Sequence, residues 1–279
     1  MRFSAGKAPP VAPVHRVKGP ALEQKLMRSR SPWIAHWIPK TGAPLRLFCF
    51  PYAGAGPSIY REWGRNLHFD IDIVPVQLPG RESRSTELPY SSIQELVPAV
   101  VEGLSPYTNV PFALFGHSMG ALVAFETARL LIQRGHRSPE HLIVSGGRGP
   151  QEKSPRPPIH LLPDEEFVEE LKSYSGTPDE LLQCTDLIRH FLPLLRADFT
   201  ACETYVYTAC KRLDIPITVY GALEDLYTSH SDLQGWVGET SQPCRIRMFP
   251  GGHFFLRDHP NDVLKALEKD LSRHGVIRL

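Results

Sequence analysis

Few segments constrain what this chain can fold into as tightly as Gly116-His117-Ser118-Met119-Gly120. It directly follows an apolar run, Phe112–Phe115, and directly precedes a helical pattern from Ala121 to Gln133 that stops at Gly135. A serine set between glycines at a strand-to-helix junction marks a turn where the two elements nearly collide. Only small flanking residues fit there, and the strained turn lifts the hydroxyl clear of the sheet. A glycine-rich turn with an incidental serine would account for the letters but not for their place between strand and helix.

The rest of the chain supplies the sheet such a turn needs. Apolar runs at Leu45–Phe50, Ile71–Val76, His141–Ser145, Ile215–Tyr220 and Arg245–Phe249 read as further strands. Helical spacing appears from Ser91 to Leu104, with Ser92 and Glu95 placed as a capping box and Pro98 as an interior kink, and again from Asn261 to Leu271. Strands alternating with helices predict an α/β chain with a mostly parallel central sheet and helices on both faces. Together with the serine turn, that predicts the α/β-hydrolase fold. Between Pro150 and Phe199 the alternation stops. Prolines 155, 157, 158 and 163 give way to two or three helical segments, predicting a helical lid insertion at about 150–199 on the functional edge of the sheet.

A serine is a weak nucleophile without a base. Of the twelve histidines, His253 is best placed, because Pro250-Gly251-Gly252-His253 follows the strand Arg245–Phe249 and precedes the last helix. In this fold the chain order is serine, acid, histidine. His259, in a His-Pro pair, reads instead as a helix-leading turn. The acid belongs at a strand end between serine and histidine, where Gly221-Ala222-Leu223-Glu224-Asp225 offers both Glu224 and Asp225. Either carboxylate would hold the imidazole tautomer and stabilise the imidazolium. The backbone N–H of Met119, the residue after the serine, is one expected oxyanion donor. The loop Pro51-Tyr52-Ala53-Gly54-Ala55-Gly56 is the expected source of the second, at Ala53, since its small residues allow close backbone approach. A dinucleotide-binding reading of Gly54-Ala55-Gly56 fails, because Pro57 follows and the third glycine is missing.

Composition narrows the remaining classes. The net charge of +1 gives no argument for nucleic acid or an anionic membrane, and no apolar run approaches the ~18 residues of a membrane span. Residues 1–31 carry seven basic residues against Glu23 alone, with four prolines. Residues 1–36 therefore read as a disordered basic extension and 37–279 as the catalytic domain. No apolar stretch follows the basic residues as in a secretory signal, although basic, acid-poor composition also suits an organelle transit peptide. Five scattered cysteines without a Cys-x-x-Cys pair argue against a disulfide framework or structural zinc, and for a cytoplasmic location. The reading calls for no cofactor and no metal.

Several segments resemble the type II (editing) thioesterases that work beside polyketide synthases and nonribosomal peptide synthetases. They are Phe50-Pro51-Tyr52-Ala53-Gly54, Gln77-Leu78-Pro79-Gly80-Arg81-Glu82, Gly116 to Gly120, Gly176-Thr177-Pro178, Leu195-Arg196-Ala197-Asp198-Phe199, Gly221 to Asp225, and Gly252-His253. The Leu-Pro-Gly-Arg-Glu and Arg-Ala-Asp-Phe segments are the most specific. The resemblance implies attack by Ser118 on an acyl thioester carried on the phosphopantetheine arm of an acyl or peptidyl carrier protein, then hydrolysis of the acyl-enzyme. It assigns the acid to Asp225 and makes the 150–199 insertion a mobile lid. Nothing in the sequence demands a membrane partner or more than a monomer. Arg81 and Arg196 fit structural ion pairs, with Glu82 or Asp198 for instance, better than phosphate sites. One departure stands out: the family's usual Ala-Gly-Gly is Ala53-Gly54-Ala55 here, and alanine resists a glycine-only conformation. Medium-chain acyl release from a fatty acid synthase shares these motifs. A general carboxylesterase requires neither specific segment, and a non-catalytic carrier-protein binder would not need all three triad residues.

Overall fold

In the computed structural model the described residues are 31–67, 71–174 and 185–273; the expected basic extension and Gly176-Thr177-Pro178 lie outside them. Six short strands form one sheet: β1 (Leu45–Phe50), β2 (Ile71–Pro75), β3 (Phe112–His117), β4 (His141–Ser145), β5 (Ile217–Ala222) and β6 (Cys244–Phe249). Their order is β2-β1-β3-β4-β5-β6, and every adjacent pair is parallel. β1 to β5 are buried along their whole length. That explains why they read as continuous apolar runs rather than alternating ones: both faces of a parallel sheet are covered.

Alternate strand residues face opposite layers. Leu45, Leu47, Cys49, Ile71, Ile73, Ala113 and Phe115 share one buried cluster with Trp63 of a single-turn helix, α1 (Trp63–Asn66). Helix α2 (Ile93–Leu104) packs beside α3 (Met119–Gln133), and α3 lies along β3 and β4. Ser92 caps α2 by accepting from the Glu95 N–H at 3.4 Å, and the helix continues through Pro98.

The insertion supplies α4 (Asp164–Tyr174) and α5 (Thr185–Glu203), which enclose an apolar cluster of their own: Ile159, Phe167, Leu171, Ile188, Leu192 and Leu195. One-turn helices α6 (His230–Gln234) and α7 (Phe255–Asp258) then lead to α8 (Pro260–Arg273), whose Val263, Leu264, Leu267 and Leu271 join the main cluster. Among the described residues no helix is long and apolar enough to cross a membrane.

The domain begins earlier than residue 37. The compact unit starts at Pro32, Ile34 bridges Val76 in antiparallel fashion, and Gln77 N–H donates to Trp33 C=O at 2.8 Å. The Trp33 ring is buried, with the Arg84 guanidinium 4.4 Å from its centre. Proline-rich, basic flanking composition hid this anchor, since one tryptophan makes no periodic pattern.

The chain order reverses between β1 and β3: from β1 it moves to one side and from β3 to the other. Loops that follow these two strands diverge and leave a crevice at their carboxyl ends, where ligands bind in open α/β sheets. The loop Pro51–Gly56 and the serine turn are those two loops.

Candidate active site

Ser118 has φ 54° and ψ −117°, in the left-handed half of backbone space that a non-glycine residue enters only under local constraint. The flanking glycines explain how the turn closes. A Cβ on Gly116 would fall on the Gly120 carbonyl, and one on Gly120 would fall on the Phe50 carbonyl at the end of β1. The turn is tied to the sheet by the Ser118 N–H donating to Ser145 C=O at 2.7 Å.

The three expected side chains, far apart in sequence, converge. His253 Nε2 lies 3.1 Å from Ser118 Oγ and Nδ1 lies 2.8 Å from Asp225 Oδ2. Both the imidazole (7 % exposed) and the carboxylate (0 %) are shielded from water, so their interaction is screened little. Asp225 Oδ1 accepts the Tyr227 and Thr228 N–H groups at 2.8 and 3.1 Å, which leaves Oδ2 aimed at the ring. Glu224 is exposed, its N–H bonded to Gly251 C=O at 3.0 Å. The choice between the two carboxylates is therefore made by which one turns inward after β5.

Met119 opens α3, so its N–H is among the four that a helix leaves without an internal partner. In the β1 loop the Ala55 N–H closes a turn onto Tyr52 C=O at 3.0 Å. The left-handed residue there is Gly54 (φ 77°), not Ala55. The alanine that departs from the usual Ala-Gly-Gly therefore meets no conformational demand. Gly54 N–H is taken by Asp198 Oδ2 at 2.7 Å, whereas among the described residues nothing accepts from the N–H of Ala53 or Met119.

Arg81 and Arg196 are both engaged in ion pairs. Arg81 grips Asp198 with two 2.8 Å bonds. Arg196 reaches Asp164 at 2.6 Å and the carbonyls of His160 and Leu162, holding the lid segment rather than a ligand. Among the described residues, Cys49, Cys202 and Cys244 are poor candidates for a rival nucleophile, since burial pushes Cys49 and Cys202 up and Cys244 up to about 11. Among the described residues no group of three or more His, Cys, Asp and Glu side chains is placed to hold a metal.

Two neighbours of the triad escaped the sequence reading. His117 is fully buried, its Nδ1 2.9 Å from Ser145 Oγ, and its ring lies 5.2 Å from that of His253. Tyr227 lies 5.8 Å from the His253 ring. It stacks on Tyr174 at the end of α4, with centroids 4.1 Å apart, and the Arg156 guanidinium lies 4.3 Å from its ring centre. His117 sat in plain view as the variable residue of the turn. No local signal marks Tyr227, whose partners lie 53 and 71 positions away.

Comparison with known proteins bears on the family of the chain. The family model described as "Thioesterase domain" matches residues 45–271, from β1 through nearly all of α8. The gramicidin S biosynthesis protein GrsT of Aneurinibacillus migulanus is 40% identical over 239 residues, covering 86% of this chain and 93% of its own. Among solved structures, the RedJ thioesterase of the prodiginine biosynthetic pathway in Streptomyces coelicolor superposes with a TM-score of 0.78. It is 39% identical, with 82% of this chain and 91% of that one covered. YbtT, a type II thioesterase from the yersiniabactin NRPS/PKS biosynthetic pathway, gives a TM-score of 0.77 at 32% identity, covering 87% and 97%. Matched along the whole of its sheet and to relatives of nearly its own length, the chain belongs to the thioesterase family and is a thioester hydrolase.

Proposed function

We propose that this chain is a discrete serine thioesterase of the type II class, which removes acyl groups from the phosphopantetheine arm of acyl or peptidyl carrier proteins in polyketide or nonribosomal peptide synthesis. The observation that carries the mechanism is the aligned Ser118–His253–Asp225 series, 3.1 and 2.8 Å between successive groups. What supports the substrate class is the likeness to a type II thioesterase whose own pathway is of that kind.

Ser118 Oγ gives its proton to His253 Nε2 as it attacks the thioester carbon. The Nδ1–H of the imidazolium stays on Asp225 Oδ2, which holds the tautomer and offsets the new charge. The carbonyl oxygen, now an oxyanion, is received by the N–H groups of Ala53 and Met119. Loss of one such donor typically costs about 10²–10³ in rate. Collapse breaks the carbon–sulfur bond, and His253 returns its proton to the departing thiolate. Water, activated by the same imidazole, then releases the acid and restores Ser118. No cofactor enters any of these steps. Cys49, Cys202, Cys210 and Cys244 are free thiols, which supports a reducing, cytoplasmic setting.

The test is hydrolysis of a panel of acyl thioesters, each presented on a carrier protein and on free coenzyme A. Expected is a preference for carrier-bound short acyl groups. Ser118→Ala should abolish turnover with folding intact, and Asp225→Asn should lower kcat roughly 10³–10⁴-fold. Asparagine keeps the oxygen that accepts from Tyr227 and Thr228, yet turns an NH₂ toward Nδ1 and so enforces the wrong tautomer. Equal turnover of free thioesters or oxygen esters would make the chain a general hydrolase. Preference for medium-chain acyl groups would favour release from fatty acid synthesis. Undiminished activity in Ser118→Ala would overturn the mechanism.

A further inference from the structure

No catalytic step described above uses Arg81 or Asp198, yet their pair is among the most completely buried on the molecule, the two side chains 4 % and 3 % exposed. Burying two charges gives little net stability, because desolvation offsets most of the attraction. What the pair does beyond binding itself is therefore informative. Asp198 Oδ2 also accepts the Gly54 N–H at 2.7 Å, and Arg81 Nη1 also donates to Ala55 C=O at 3.2 Å. The next residue, Glu82, holds a left-handed backbone (φ 45°), a costly state for a non-glycine residue. From there its Oε1 takes the Ser58 N–H at 3.1 Å. Two points of the β1 loop, and Ser58 just beyond it, are thus held by side chains from two other segments. Ala53 stands directly before the first of them. The second segment is α5 of the insertion, which carries Asp198 and lays Leu195 against Gly54.

We propose that Arg81 and Asp198 are positioning residues for the oxyanion loop, setting the direction of the Ala53 N–H from α5 of the lid. The proposal rests on the reading that this N–H is an oxyanion donor. A fork of two parallel bonds fixes orientation as well as distance, and a loop of small residues needs that constraint from outside. Displacement of a donor by about 1 Å is enough to cost on the order of 10²-fold in rate.

The experiment compares steady-state hydrolysis of one acyl thioester with affinity for the matching acyl trifluoromethyl ketone, whose adduct with Ser118 places an oxyanion in the same position. Asp198→Asn keeps volume but sets an NH₂ against Arg81. It is expected to lower kcat about ten- to a hundredfold, to weaken ketone affinity in parallel, and to leave KM within about threefold. Arg81→Lys keeps the charge without the fork, and a smaller loss with the same split is expected. Active-site titration with a fluorophosphonate corrects each rate for the folded fraction. Wild-type kcat and ketone affinity in both folded variants, losses that vanish after this correction, or failure of both to fold would overturn the proposal. Replacing Ala53 by its α-hydroxy acid analogue removes the N–H, at the cost of a weaker Tyr52 carbonyl acceptor for the Ala55 N–H, and separates the two ideas. Full activity there sinks the donor reading itself. A slow analogue beside fully active Asp198→Asn and Arg81→Lys sinks the positioning role alone.

Discussion

At the level of single residues, His117 shows how much one side chain in the serine turn is asked to do. Its ring is enclosed by Tyr52, Phe254, Phe255 and His253. Burial holds its pKa well below the ordinary histidine range; the charge of the neighbouring His253 acts in the same direction, against a smaller opposing hydrogen bond to the His253 backbone. The unfolded chain therefore takes up this proton more readily than the folded one. Stability is unaffected above the unfolded value of about 6.5 and falls as pH drops below it, by at most about 1.4 kcal/mol per pH unit from this group. Urea midpoints measured from pH 7.5 to 5 should show that decline, and His117→Gln should flatten it. An unchanged slope in the variant would assign the acid sensitivity elsewhere. The presence of His117 was legible from the letters alone, but its burial was not, because that depends on Tyr52, 65 positions earlier, and on aromatic residues well over a hundred positions later.

At the level of elements, the strands were the most legible part, for a physical reason. A parallel strand is buried on both faces, so its apolar run needs no knowledge of its neighbours. Leu45–Phe50 and His141–Ser145 fall where the sequence predicts, while β5 starts two residues later, at Ile217, because Pro216 lacks the N–H that a ladder requires. The insertion was legible as helical but not in how it is held. Glu203, at the end of α5, accepts the N–H groups of Ile159 and His160 at 3.0 Å each and meets His160 Nδ1 at 2.6 Å. Glu203→Gln, which keeps one acceptor oxygen but loses the charge, should weaken this end of the lid by about 1.5–3 kcal/mol. Hydrogen exchange should then quicken in residues 159–171 while amides of β1, β3 and β4 keep their protection. Uniform quickening would mean that the lid and sheet unfold as one unit.

At the level of the whole molecule, the domain includes Pro32 to His36, a stretch that composition assigned to the tail. The Trp33 ring lies over Gly103 so closely that a Cβ there would overlap it. Truncating that ring leaves a cavity, and Trp33→Ala should lower stability by about 3–5 kcal/mol. It should leave kcat near wild type below the melting range, since the ring packs on Arg84 and Gly103 and enters no catalytic step. A chemical melt paired with the thioesterase assay checks both halves, and an unchanged melt would return residues 32–36 to the tail. The serine turn, the order of nucleophile, acid and base, and the alternating α/β layout follow from the sequence by itself, because each rests on crowding or burial among near neighbours in the chain. The residues by themselves left Glu224 open beside Asp225, with only the family resemblance favouring Asp225, and left Glu82 open beside Asp198; the tertiary structure turns Asp225 toward His253, pairs Arg81 with Asp198, and sets α5 against the β1 loop. Those outcomes depend on which groups meet across 28, 117 and 144 positions, where local pattern carries no information and geometry decides.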